Sequence, residues 1–134
     1  MATAKSTTIT VGFNGGGLTK TDDITKTASA RVAVEEDVAT AETDFEITVP
    51  TIDISAATLI YIMSTQNVLF ETNANDATDG NTLTLIANEP YVWWTGAPFV
   101  NVLTEDIVTN VFVTNASGAT ATVTIDVLQD ATPA

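Results

Sequence analysis

The chain has 134 residues, enough for one domain that buries roughly two thirds of the surface its unfolded form exposes. Hydrophobic residues make up 45% of it, which excludes a disordered chain, and the absence of Cys and His excludes disulfides, thiolate and imidazole metal sites and the commonest general bases. The net charge is −13, with only Lys5, Lys20, Lys26 and Arg31 positive, and of the 17 carboxylates only Asp22 and Asp23 precede Arg31. Nucleic-acid binding is excluded because nothing beyond Arg31 can neutralise phosphate, and an anionic membrane surface is disfavoured for the same reason.

The N-terminal MATAKSTTITVGF carries no apolar leader core, so no secretory signal is expected. Ile9, Val11 and Phe13 alternate with polar residues and read as a strand. Gly15, Gly16 and Gly17 follow and read as a flexible joint, which divides the chain into an N-terminal arm over 1–17 and a sandwich domain over 18–134. Such an arm can add to a sheet edge, its own or a neighbour's. GFNGGGLTK is not a phosphate loop, because Leu18 stands where the motif needs Lys and β-rich sequence surrounds it.

Thr makes up about a fifth of the chain, and β-branched residues suit a pleated, half-buried surface. Phe45, Ile47 and Val49 form the next alternating run, and Pro50 marks a bend after it. In TLIYIM, Leu59, Tyr61 and Met63 oppose Ile60 and Ile62; in IVTNVFV, Val108 and Phe112 oppose Ile107, Val111 and Val113. Runs apolar on both faces belong at the centre of a sandwich or against a partner. NANDATDGN joins VLFET to TLTLI as a hairpin connection, and Asn115 to Gly118 reads as a hairpin tip before the last strand. In that strand Ala121, Val123, Ile125 and Val127 share one face. About eight strands and no helix predict an all-β, antiparallel β-sandwich, jelly-roll or immunoglobulin-like.

Two groups invite a functional reading. Asn73, Asn75, Asp76 and Asp79 gather oxygen ligands in one loop, but Ala77 breaks the calcium-loop spacing, so turn chemistry is preferred and no cofactor is expected. The run EPYVWWTGAP holds the only two tryptophans, Trp93 and Trp94, side by side. In a strand they must face opposite ways. Tyr91, Trp93 and Phe99 are expected on one side and Val92 and Trp94 on the other, provided that Pro98 does not break the register before Phe99. One tryptophan then fills the core, and the other closes the barrel end under the Thr95–Pro98 turn or serves a protein interface or a sugar.

The segment LTLIANEPYVWWTGAPF, the run with LT, D, VT and VFVTN, and the Thr-alternating last strand ATATVTIDVLQDATPA together resemble small accessory virion proteins of tailed bacteriophages. The similarity is to head decoration or cement proteins, is one of style, and covers about half the chain. It implies a non-enzymatic virion component, made in the host cytoplasm, that binds the major capsid protein on the capsid exterior as a homotrimer and strengthens the shell; tail-tube, neck and fibre-base proteins share the same style, so the place within the virion stays open. Interface candidates are Tyr91, Trp93, Trp94 and Phe99, then Lys5, Ile9, Lys20, Lys26 and Arg31. The alternative from another class is a carbohydrate-binding or adhesin module using the same aromatic strand.

Overall fold

The computed structural model describes residues 4–73 and 80–130. Ten strands form among them: β1 (Lys5–Gly15), β2 (Leu18–Ala28), β3 (Ala30–Val38), β4 (Phe45–Ile47), β5 (Ala57–Ser64), β6 (Val68–Thr72), β7 (Thr82–Leu85), β8 (Tyr91–Trp94), β9 (Val111–Thr114) and β10 (Ala121–Gln129). A single 3-10 turn, Ile54–Ala56, precedes β5, with the Asp53 carboxylate accepting from the Ser55 amide at its start. Eight strands make the sandwich, in two antiparallel sheets ordered β3-β10-β5-β8 and β4-β9-β6-β7.

The order follows from four nested pairs. β6 pairs with β7, β5 with β8, β4 with β9 and β3 with β10. The eight strands thus form one long double-stranded ribbon rolled over itself, with alternate pairs falling in opposite sheets. That is a jelly roll. Rolling buries one face of each sheet, so Ile60 and Ile62 of β5 meet Phe70, Val111 and Val113 across the interior, with Val123, Ile125 and Val127 of β10 beside them.

Two connections differ from the sequence expectation. Residues 107–113 do not form one strand: Ile107 bridges to Ile52, Asn110 adopts a left-handed φ of 89°, and β9 starts only at Val111. The alternation continues through the break because both parts face the same core. Asn115 to Gly118 joins β9 to β10, but these strands lie in different sheets, so the segment is a crossover and not a hairpin tip. It is held by the fully buried Asn115 side chain, which donates to the carbonyls of Val38 (3.0 Å) and Ala119 (2.8 Å) and accepts from the Ser117 amide (3.1 Å).

The remaining two strands pair with each other along eleven residues from Lys5↔Ala28 to Gly15↔Leu18. Gly16 and Gly17 are the two central residues of the turn, with φ of 58° and 84°. Both being positive is what a type I′ hairpin requires, and glycine meets it without a steric penalty. The glycines are therefore the tip of an ordered hairpin and not a hinge. The chain doubles back there, and the expected boundary after Gly17 falls between two strands of one unit.

This hairpin lies against the outer face of the β3-β10-β5-β8 sheet. There Leu59 and Leu128, the outward residues of β5 and β10, are fully covered by Ala28 and Ile9 in a small second core. Thr58 Oγ1 also donates to the Thr27 carbonyl at 3.3 Å. The apolar outer face of β5 is thus explained: one side packs in the sandwich, the other under the hairpin.

Candidate interaction surface around the hairpin and the aromatic strand

Strand β8 is an edge strand paired only with β5, with Trp94 opposite Leu59 and Val92 opposite Tyr61. Tyr91 and Trp93 point inward and pack on the sandwich core. Val92 and Trp94 point outward. The two tryptophans therefore divide as strand geometry demands: Trp93 serves the core and Trp94 the outer face.

Phe99 is on the Trp94 side, not with Tyr91 and Trp93 as the alternation predicts. The strand stops at Trp94, Gly96 takes a φ of 90°, and the Ala97 amide donates to the Trp94 carbonyl at 3.0 Å. This turn swings the chain back so that Phe99 meets Trp94 edge to face, with centroids 5.5 Å apart and planes at 86°. The loop is fastened from inside by Tyr91, whose hydroxyl bonds Asn101 Oδ1 and accepts from the Val102 amide at 3.0 Å. Burial pushes the Tyr91 hydroxyl pKa above its usual value, and the bond from the Val102 amide acts in the opposite direction.

The hairpin completes the surface. Its register sets Lys5, Thr7, Ile9, Val11 and Phe13 of β1 on one face, opposite Ala28, Lys26, Ile24, Asp22 and Lys20 of β2. The other face is polar, with Thr8 bonded to Thr25 at 2.7 Å and Thr10 donating to Asp23 at 2.9 Å. All three lysines thus share a face with the apolar residues. The base of that face is covered by the sheet, but Val11, Phe13 and Leu18 are 44%, 56% and 51% exposed. Beyond Ile9 the strand runs six more residues to Gly15, roughly 20 Å.

Between the hairpin and β8 lies an open cleft of about 460 Å³, walled by Ile9, Val11, Tyr61, Val92, Trp94 and Phe99. Apolar residues dominate it.

Of the sequence candidates, Ile9, Trp94 and Phe99 meet at this cleft, and Lys20 and Lys26 lie on the hairpin face that borders it. Lys5 sits at the hairpin base. Tyr91 and Trp93 are turned into the sandwich. Arg31 is engaged on β3, its Nε donating to Asp126 Oδ1 at 3.0 Å and its Nη2 bonding Oδ2. Val11, Phe13, Leu18 and Val92 were missed as candidates. The signal was present: Ile9, Val11 and Phe13 at odd positions before the glycine pair and Leu18, Ile24 and Ala28 at even positions after it put every large apolar residue of the hairpin on one face.

Asn73 is not free to act as a cation ligand. Its Oδ1 accepts from the Val108 amide at 2.7 Å and its Nδ2 donates to the Asp106 carbonyl at 2.8 Å, which ties the 104–110 loop to β6. Asn75, Asp76 and Asp79 lie outside the described residues. Among the described residues no three His, Cys, Asp or Glu side chains gather closely enough to hold a metal ion.

Comparison with protein-family models, with curated proteins and with solved structures gives no match for this chain.

Proposed function

We propose that the chain is a non-enzymatic structural protein of a viral particle, a head decoration or cement protein that binds the outer capsid as a homotrimer and contacts the major capsid protein. The observation that carries this reading is the projecting hairpin, apolar and cationic on one face and polar on the other. A two-stranded ribbon is marginal by itself in water, and an exposed apolar stripe costs solubility without a return in an isolated chain. The stripe becomes favourable when another surface covers it. The lysines beside it suit an acidic surface.

The mechanism is mass action. A protein that binds only assembled subunits stabilises the assembly by the free energy of that binding, and several copies on one shell add their contributions. The jelly-roll fold is compatible with this and does not discriminate, since it serves capsid proteins and lectins alike. Sugar binding is disfavoured by the ring geometry. Trp94 and Phe99 stand nearly perpendicular, and Tyr91 and Trp93 face inward, so no flat row of rings is presented.

Particles banded from the cells that make the chain provide the test. Quantitative mass spectrometry is expected to find the chain in fixed ratio to the major shell protein, and particles stripped of it should open at a lower temperature. A chain recovered only in particle-free fractions would overturn the reading.

A further inference from the structure

We infer that the groove along the free edge of β1 receives an extended segment of an acidic partner protein, which adds to the hairpin as a third strand. This goes beyond the shell reading and does not depend on it.

The turn fixes which backbone groups are free. Across a two-residue turn the flanking pair, Gly15 and Leu18, is hydrogen-bonded, and bonded and non-bonded pairs then alternate down the ribbon. Phe13, Val11 and Ile9 therefore point their N–H and C=O groups at β2, whereas Gly12, Thr10 and Thr8 point theirs away from it. No strand pairs with β1 on that side, and among the described residues no other group bonds those amides and carbonyls. Gly12 is an independent check. It has no side chain, yet it lines the cleft against Trp94, so its backbone is what faces the cleft.

This edge stands over an apolar floor. The cleft of about 460 Å³ adjoins a second of about 240 Å³, lined by Thr7, Thr8, Leu59 and Tyr61 among others. Ile9, Thr10 and Tyr61 belong to both, and no β2 residue belongs to either. Together they follow β1 from Thr7 to Gly12, roughly 20 Å of strand. A strand laid there bonds Thr8, Thr10 and Gly12 through its backbone and sets every second side chain on Tyr61, Val92, Trp94 and Phe99. An extended backbone matches both the row of donors and acceptors and the floor; a compact apolar ligand matches only the floor. β1 also lacks the features that usually guard an exposed edge. From Ser6 to Gly15 it has no charge and no Pro, and its register has no bulge, whereas β2 carries Lys20, Asp22, Asp23 and Lys26.

Charge gives the sign of the partner. The one carboxylate lining either cleft, Asp126, is paired with Arg31. Lys5, Lys20 and Lys26 share the bordering hairpin face with a single carboxylate, Asp22. Carboxylates flanking the apolar residues of the segment are therefore favoured over cations. A second copy's β1 does not fit. With its apolar face down it brings along its own sandwich, packed on Ile9 through Leu59 and Leu128, into space already held by this sheet. Turned over, it sets Thr8 and Thr10 on the aromatic floor.

The probe is a synthetic peptide of about eight residues, Val and Thr alternating between Glu residues at both ends. Calorimetry on the full chain is expected to show one-to-one binding, with a blue shift of the Trp94 emission. The same peptide with Lys in place of Glu should bind about tenfold more weakly. Methylating one alternate set of peptide amides should abolish binding and methylating the other set should not, because only one edge of the added strand bonds β1. Thr10→Pro removes an outward N–H and no bond to β2, so affinity should fall about tenfold or more while circular dichroism stays unchanged. Phe99→Ala should lower affinity by a similar factor. No binding of the acidic peptide, equal binding of the Lys peptide, equal loss from both methylated sets, or a folded Thr10→Pro variant that binds normally would each overturn the inference. Self-association in sedimentation velocity that Thr10→Pro abolishes would assign the edge to a second copy and overturn it too. If Thr10→Pro unfolds the hairpin, the methylated peptides decide, since they leave the protein unchanged. None of these measurements uses particles, so the shell reading stands or falls separately.

Discussion

The jelly roll and the hairpin are built from the same material, strands in which Thr and β-branched residues alternate, yet they close their apolar faces differently. In the sandwich the central inward residues find another sheet: Phe70, Ile62, Val113 and Ile125 are essentially inaccessible to water. In the hairpin only the first half of the apolar face is covered, by Leu59 and Leu128, and from Val11 to Leu18 it is open. The difference shows that alternation specifies a face but not what covers it. One region folds against itself and is stable for that reason; the other has surplus apolar surface and is suited to a partner.

Substitutions that separate the two regions test this contrast. The largest loss is expected from Phe70→Ala in the sandwich, about 3–5 kcal/mol by urea unfolding, because a full ring leaves a cavity that the rolled sheets cannot collapse. Leu59→Ala lies on the boundary and should cost about 2–5 kcal/mol. It should also accelerate hydrogen exchange in β1 and β2 while β6 and β9 stay protected. Equal acceleration in all four strands would mean that hairpin and sandwich open as one unit, which would erase the distinction.

Asn115→Ala should cost about 1–3 kcal/mol, since the carbonyls of Val38 and Ala119 lose a buried donor at the crossover. Tyr91→Phe should cost about 1 kcal/mol by releasing the loop that carries Phe99. That residue also sets an alkaline limit. Its folded-state pKa is raised, so the neutral hydroxyl is the favoured form; its contribution is complete below the unfolded value of about 10 and is lost as the pH rises through the folded one. Stability measured against pH should therefore fall more steeply above that point in the wild type than in Tyr91→Phe. The smallest effect on folding is expected from Phe13→Ala, within about 0.5 kcal/mol, because the ring is exposed in the isolated chain. A loss as large as that at Phe70 would show that the tip is packed in solution and refute the contrast.

Much of this architecture was legible. The inward set Ala121, Val123, Ile125 and Val127 follows directly from alternation, as does the assignment of the two tryptophans to opposite faces. The two-faced apolar run of β5 was correctly a central strand, although its outer cover, the hairpin, had no separate signal. The glycine run was misread because composition alone does not distinguish a joint from a type I′ turn; the deciding fact is that β1 and β2 pair in register across it. Phe99 leaves the side that alternation gives it because alternation holds only while the backbone stays extended; the register breaks before Phe99, as Pro98 warned, but at Gly96.

What the sequence determined by itself is therefore local: all-β structure, the apolar face of each strand, the lack of His and Cys chemistry, and the confinement of positive charge to the first 31 residues. These depend on residue type and a period of two, which act within a few neighbours. Tertiary structure decided which strands pair, and so the roll, the crossover at Asn115, the placing of all three lysines beside Val11 and Phe13, and the cleft against Trp94. Each of these depends on contacts between residues far apart in the chain, where register and sheet assignment, not local preference, fix which side chains meet.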